Sequence, residues 1–251
     1  ENNLCEFLFA MSNPAQSPLP ASPSSPPSSA KEPRPVFTTD SPSTVFAFPP
    51  NRDTLGGTAY FIVENGLRVL VDCPAWDETN QRFVANQGGA DWLIITHRGG
   101  MGKVKEWQQT CSCSILVQEQ EAYLLPNLEL QTFHREFRLS DRLEILWTPG
   151  HSPGSSCLYW AGEGGVLFSG RHLLPNAQGD PAPLKTSKTF HWPRQLQNIR
   201  LLLTTFTAET LHFICPGANT GFLRGQRSID RAYERLSHLA LDEFAQVSAL
   251  L

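Results

Sequence analysis

The chain lacks any uninterrupted apolar run approaching the roughly 20 residues that a membrane-crossing helix needs. No membrane partner is therefore expected. It lacks a basic excess as well: 20 Lys and Arg stand against 24 Asp and Glu, a net charge of −4. General nucleic-acid binders carry a basic face, so no nucleic-acid partner is expected either. The six cysteines, Cys5, Cys73, Cys111, Cys113, Cys157 and Cys215, lack the spacing of a disulfide framework. "LCEFLFA" near the start is too short for a secretory core and lacks a basic leader. Reduced thiols and a cytoplasmic setting are the expectation.

What is present is enough apolar material for one sizeable core: 251 residues, 40% of them hydrophobic. Residues 1–35 read as a disordered Pro/Ser-rich tail, because Ser12 to Pro35 holds almost no large apolar side chain to offset chain entropy. "MSNPAQSPLP" from Met11 resembles a natural start, which makes residues 1–10 an upstream extension. Order is expected over 36–251.

"TAYFIVENGLRVLVDC" reads as a hairpin, with Asn65-Gly66 supplying the positive φ angles of a tight turn. Trp92 to Thr96 is short and fully apolar, as a buried strand is. "KVKEWQQT" suits a helix; "SILVQ" and "DRLEILWT" suit strands. "SCLYWAGEGGVLFSG" is a second hairpin, turning at Gly162 to Gly165. "PRQLQNIRLLLTT" is a helix with proline near its start and Leu196, Ile199 and Leu203 on one stripe. "LHFICPG" is a last strand, and Ser228 is placed as the cap of a final helix. Two mixed sheets packed together, with helices outside, would bury these faces.

Unusual residues follow the strands: Asp72 after "VLV", His97 after "LIIT", His151 in "TPGHSPGS", Arg171 in "LFSGRHLL", and Asn219 in "CPGAN". This succession resembles the metallo-β-lactamase-fold superfamily from about Val45 to Leu251. The resemblance implies an α+β, four-layer αββα sandwich with metal ligands on loops at one edge. It also implies hydrolysis by a water activated on one or two zinc ions.

Position by position, the family's Thr-His-x-His-x-Asp-His stretch is here Thr96-His97-Arg98-Gly99-Gly100-Met101-Gly102. Only the first histidine matches. The stretch also resembles a cyanobacterial and plastid branch, in which an Asp-His pair lies further on; Lys103-Val104 stand there, while Trp107 matches. His151 matches the next ligand. The bridging Asp is Arg171, the last histidine is Ala218, and Asp72 matches a strand-end aspartate that is generally structural.

Catalytic zinc usually takes three protein ligands and a water. Here His97 and His151 are two candidates, with His172 beside Arg171 as a substitute. Arg171 is permanently charged. At about 4 Å and an effective dielectric of about 20 it would oppose a divalent ion by roughly 8 kcal/mol. That is comparable to much of the roughly 10–16 kcal/mol of a structural zinc site.

The first reading is thus a non-hydrolytic binding or scaffold protein with no cofactor. Its remnant site, His97, His151, Arg171, Asp72, Lys103 and Asn219, would form a pocket for an anionic small molecule. The alternative is a divergent hydrolase with one zinc or other divalent ion on His97, His151 and His172. A third is a metal-free enzyme with His151 as base and Arg171 as oxyanion stabiliser. Plainer roles stand beside these: His97 and His151 holding their loops, Arg171 paired with Asp72 or another acid, and buried, inert Cys73 and Cys215. Lys185, Lys188, His191, Trp192 and Arg194 in "PLKTSKTFHWPR" either meet a ligand or lie in a surface loop packed under the next helix.

Overall fold

The structure, a computed structural model, describes residues 31–38 and 43–250. The expected disorder of the first 30 residues and the Met11 start lie outside the described residues. Residues from Lys31 onward form one compact unit.

A seven-stranded sheet runs in simple order: β1 (Arg34–Pro35), β2 (Thr44–Ala47), β3 (Tyr60–Glu64), β4 (Leu67–Val71), β5 (Trp92–Ile95), β6 (Ser114–Gln118) and β7 (Leu130–Phe133). β1 begins two residues before the expected start of order and pairs with β2 through Arg34↔Ala47 and Pro35↔Phe46. Proline is tolerated there because β1 is an edge strand. β3 and β4 form the expected hairpin, with Asn65 and Gly66 both at positive φ. From β4 to β7 the strands are parallel, so crossovers are required. α1 (Glu78–Asn86) and α2 (Val104–Cys111) supply the first two. α1 was not foreseen from the sequence; Asp77 caps it by accepting from the Asn80 amide.

The second sheet has the order β14-β11-β10-β9-β8, built from β8 (Glu136–Ser140), β9 (Leu143–Trp147), β10 (Ser156–Trp160), β11 (Val166–Gly170) and β14 (Phe213–Pro216). A small hairpin, β12 (Leu174–Pro175) and β13 (Pro181–Ala182), precedes α3 (Trp192–Thr205). α4 (Ala232–Ser237) and α5 (Leu241–Phe244) close the chain. Ser228 does not cap α4. Arg231 holds that place in a left-handed conformation, and Ile229 is drawn into a bridge with Ile214 of β14.

Strand alternation sorts the core into three clusters. Tyr60, Ile62, Val69 and Val71 face inward against Ile145, Leu158, Trp160 and Phe168 of the second sheet. Their neighbours Phe61 and Leu70 face outward onto Val84 of α1 and Val104 and Trp107 of α2. Leu167 and Ile214 likewise pack on Leu196, Ile199 and Leu202 of α3 and on Ala232 and Leu236 of α4. Helix, sheet, sheet and helix are therefore stacked in four layers. No helix among the described residues is long and apolar enough to cross a membrane.

Candidate functional site

β4, β5, β9 and β11 all deliver their following loops to one edge of the sandwich. The join between the sheets there is direct: Ser156 donates its amide to the Thr96 carbonyl, and Thr58, just before β3, donates its amide to the Gly217 carbonyl. At the centre lies Asp72, with φ 58°, in a conformation that Asp tolerates better than most non-glycine residues. Its carboxylate is buried and accepts twice from Thr96, at 2.8 Å from the amide to Oδ1 and at 2.7 Å from the hydroxyl to Oδ2. Gly100 makes this possible, since a Cβ there would overlap the Asp72 carboxylate. Burial still raises the Asp72 carboxyl to about 6 against those two bonds and the Arg171 charge, which lower it.

This knot fixes the proton on His97. With its hydrogen given to Asp72, the Thr96 oxygen is left to accept, and His97 Nδ1 lies 3.0 Å away. The pattern assigns the imidazole proton to Nδ1 and leaves Nε2 a lone pair. His97 is 3% exposed, and its Nε2 has no hydrogen-bond partner among the described residues. Burial holds the ring well below its ordinary basicity, and His151, Arg171 and Arg98 add to this. The His151 ring packs edge-on at 5.4 Å, lowered to about 4 by burial and then by Arg171 and Arg98. All three facts describe neutral imidazoles at pH 7.

Above them opens a cleft of about 590 Å³ lined by ten residues: Arg98, Arg171, Lys188 and His151, with Gly99, Thr186, Ser187, Leu55, Leu174 and Leu184. Three carry fixed positive charge and none is acidic. A Cβ on Gly99 would come within 3.1 Å of His97 Nε2, which places that nitrogen just under the lining.

The expected ion pair between Arg171 and Asp72 does not form. The guanidinium instead turns to the loop before β3, where Nη2 donates to the carbonyls of Thr54 and Leu55 at 3.1 and 3.0 Å. Asp72 is already doubly bonded to Thr96, so it offers Arg171 only a distant field. Arg171 Nε is buried without a partner among the described residues.

The remaining sequence candidates separate. His172 is 1% exposed, lies outside the cleft lining, and has both ring nitrogens unpartnered among the described residues. Burial and then His151 lower it to about 3. Lys103 is outside the lining and sits 3.9 Å from Glu106 in the first turn of α2, which it precedes. Asn219 occupies a left-handed turn and is also outside the lining. In each case local chain geometry directs the residue elsewhere. Of the five candidates in the basic and aromatic stretch, only Lys188 is in the lining, where its carbonyl accepts from Arg98; His191 caps α3 by accepting from Arg194, and Trp192 packs in the outer core. Cys73 and Cys215 are buried thiols, pushed up chiefly by burial.

Two participants escaped the sequence reading. Thr96 organises the knot; a hydroxyl between an apolar strand and a histidine was the available signal. Leu55 projects from the loop that Arg171 clamps, and only the turn-forming "NRDTLGG" hinted that this loop matters. Among the described residues no group of three or more His, Cys, Asp or Glu is arranged to hold a metal ion.

No family model matches the sequence, and no curated protein matches it. Solved structures do match. DIM-1 metallo-beta-lactamase aligns with a TM-score of 0.59 at 17% identity, over 86% of this chain and 99% of that one. A metallo-beta-lactamase from Staphylococcus aureus gives 0.59 at 18%, over 81% and 67%. An archaeal metallo-beta-lactamase superfamily protein from Sulfolobus tokodaii gives 0.55 at 12%, over 82% and 88%. The chain has the metallo-β-lactamase fold. At these identities the likeness speaks for the fold alone.

Proposed function

We propose that the protein binds a small organic anion in the Arg98–Arg171–Lys188 cleft and does not hydrolyse it through a metal. One observation carries this reading: three fixed cations and no acid line a cleft at the strand-end edge. A guanidinium there supplies forked donors suited to carboxylate and phosphate. Fixed organic charge then takes the place that metal charge holds in hydrolases of this fold.

The test is thermal unfolding of chelator-treated protein with and without phosphate and small carboxylates at low salt. Stabilisation that saturates, and that weakens in Arg98→Ala, is expected. No stabilisation by any such anion would overturn the reading.

A second reading, one divalent ion on His97, His151 and His172, draws on the His97 tautomer. An imidazole with Nδ1–H held and Nε2 free is the form that ligates metals. Its test is metal per chain after growth in zinc-, iron- and manganese-supplemented medium. It requires near-stoichiometric metal that His97→Ala and His151→Ala both abolish.

A further inference from the structure

The cleft is chemically two-sided. Arg98, Arg171 and Lys188 give it cationic character, while Leu55, Leu174 and Leu184 give it an apolar wall. Its volume of about 590 Å³ falls within the roughly 300–1,000 Å³ typical of pockets for organic ligands. A bare inorganic ion would leave most of it empty.

The apolar wall is maintained at a cost. Leu55 is 73% exposed and sits at φ 54°, a left-handed conformation that disfavours a residue with a Cβ. Its amide donates to Arg52, and its carbonyl and that of Thr54 are held by Arg171. The residue that carries the anion-directed charge thus also fixes a large apolar side chain at the rim. Nothing in the core uses that side chain.

The number of cations adds a third requirement. Arg98, Arg171 and Lys188 together match an anion of more than one charge. A phosphate monoester near neutral pH carries a charge of about −1.5 to −2 and three acceptor oxygens, whereas a carboxylate or a sulfate ester carries a single charge.

We infer that the ligand is a phosphate monoester with a short apolar substituent, its phosphate among Arg98, Arg171 and Lys188 and its carbon chain along Leu55, Leu174 and Leu184. This rests on the anion-site reading above and names the ligand class for it.

The experiment is calorimetric titration of the full chain with inorganic phosphate, ethyl phosphate, hexyl phosphate and hexyl sulfate, on wild type and Leu55→Asn. Asparagine tolerates the left-handed backbone, so this variant keeps the loop. Hexyl phosphate is expected to bind at least about tenfold tighter than inorganic phosphate, from the chain carbons it buries. Leu55→Asn should remove most of that gain and leave phosphate affinity within about twofold, as a surface change does. Hexyl sulfate, which carries only one charge to set against the three cations, should bind at least about fivefold more weakly than hexyl phosphate.

No binding by any of the four overturns the anion site itself. Phosphate binding without a chain-length gain, or a gain that Leu55→Asn leaves intact, overturns the ligand class while the anion site stands. Equal binding of sulfate and phosphate esters overturns the match of three cations to a doubly charged group and with it the choice of phosphate.

Discussion

Asp72 and Arg171 follow strands at the same edge, one from each sheet, and they are bonded in opposite ways. Asp72 is buried, and each of its carboxylate oxygens receives a Thr96 donor. Arg171 is half-buried, reaches only backbone carbonyls, and leaves Nε without a partner among the described residues. The first arrangement locks the β4 and β5 ends together and would be needed under any cargo. The second anchors a loop and leaves binding capacity unspent. A scaffold of this kind can keep its knot while the lining changes its chemistry, because the knot asks nothing of the cleft.

Acid separates the two regions most strongly. His97, His151 and His172 all lie below the ordinary value of 6.5 in the folded chain, the last two at about 4 and about 3. The unfolded chain takes up protons first, so their contribution is complete above pH 6.5 and declines as pH falls towards 4 and 3. Each buried histidine contributes up to about 1.4 kcal/mol per pH unit in that window; His151, partly exposed, contributes less. Asp72 has the opposite sign. Its folded carboxyl, at about 6, is protonated before the unfolded one at 3.8, so between those values acid favours the fold. Asp72→Asn should therefore steepen the acid loss of stability between pH 6 and 4, as urea unfolding at a series of pH values would show. An unchanged slope would contradict the assignment.

Gly100→Ala strikes the knot alone. Its Cβ would overlap a carboxylate that cannot move without breaking two bonds to Thr96. A loss of about 3 kcal/mol is expected from overpacking of this kind, read as a lowered urea midpoint. Arg171→Gln strikes the loop. It should lower stability by only about 1 kcal/mol, from two partly exposed bonds to carbonyls. Hydrogen exchange at the amides of Leu55 and Gly56 should quicken while Thr96 stays protected. The smallest effect on folding belongs to Arg98→Ala, within about 0.5 kcal/mol, as for most surface changes. That variant should still weaken phosphate binding measurably at low salt, and less so at high salt, where exposed charges are screened.

Much of the layered architecture was legible because periodicity reports burial. The hairpins at Tyr60–Val71 and Ser156–Gly170 and the stripe of α3 all express one buried face per element. α1 was not, since "ETNQRFVAN" carries few large apolar residues and its core contact runs mainly through Val84 and Phe83. Ser228 misled because capping propensity lost to the bridge that draws Ile229 to Ile214. At the site, the convergence of Asp72, His97, His151 and Arg171 followed from strand ends. The partner of Arg171 did not, because only coordinates show that Thr96 already satisfies Asp72. Lys103 and Asn219 enter through the family pattern, which says nothing of which way a turn points its side chain.

The most direct measurement is calorimetry of phosphate binding to chelator-treated protein at low ionic strength, repeated after adding one equivalent of zinc. The account predicts saturable one-to-one binding without metal, and its loss in an Arg98→Ala/Lys188→Ala double variant that remains folded. Binding that appears only once zinc is restored, and that the double variant leaves untouched, would contradict it.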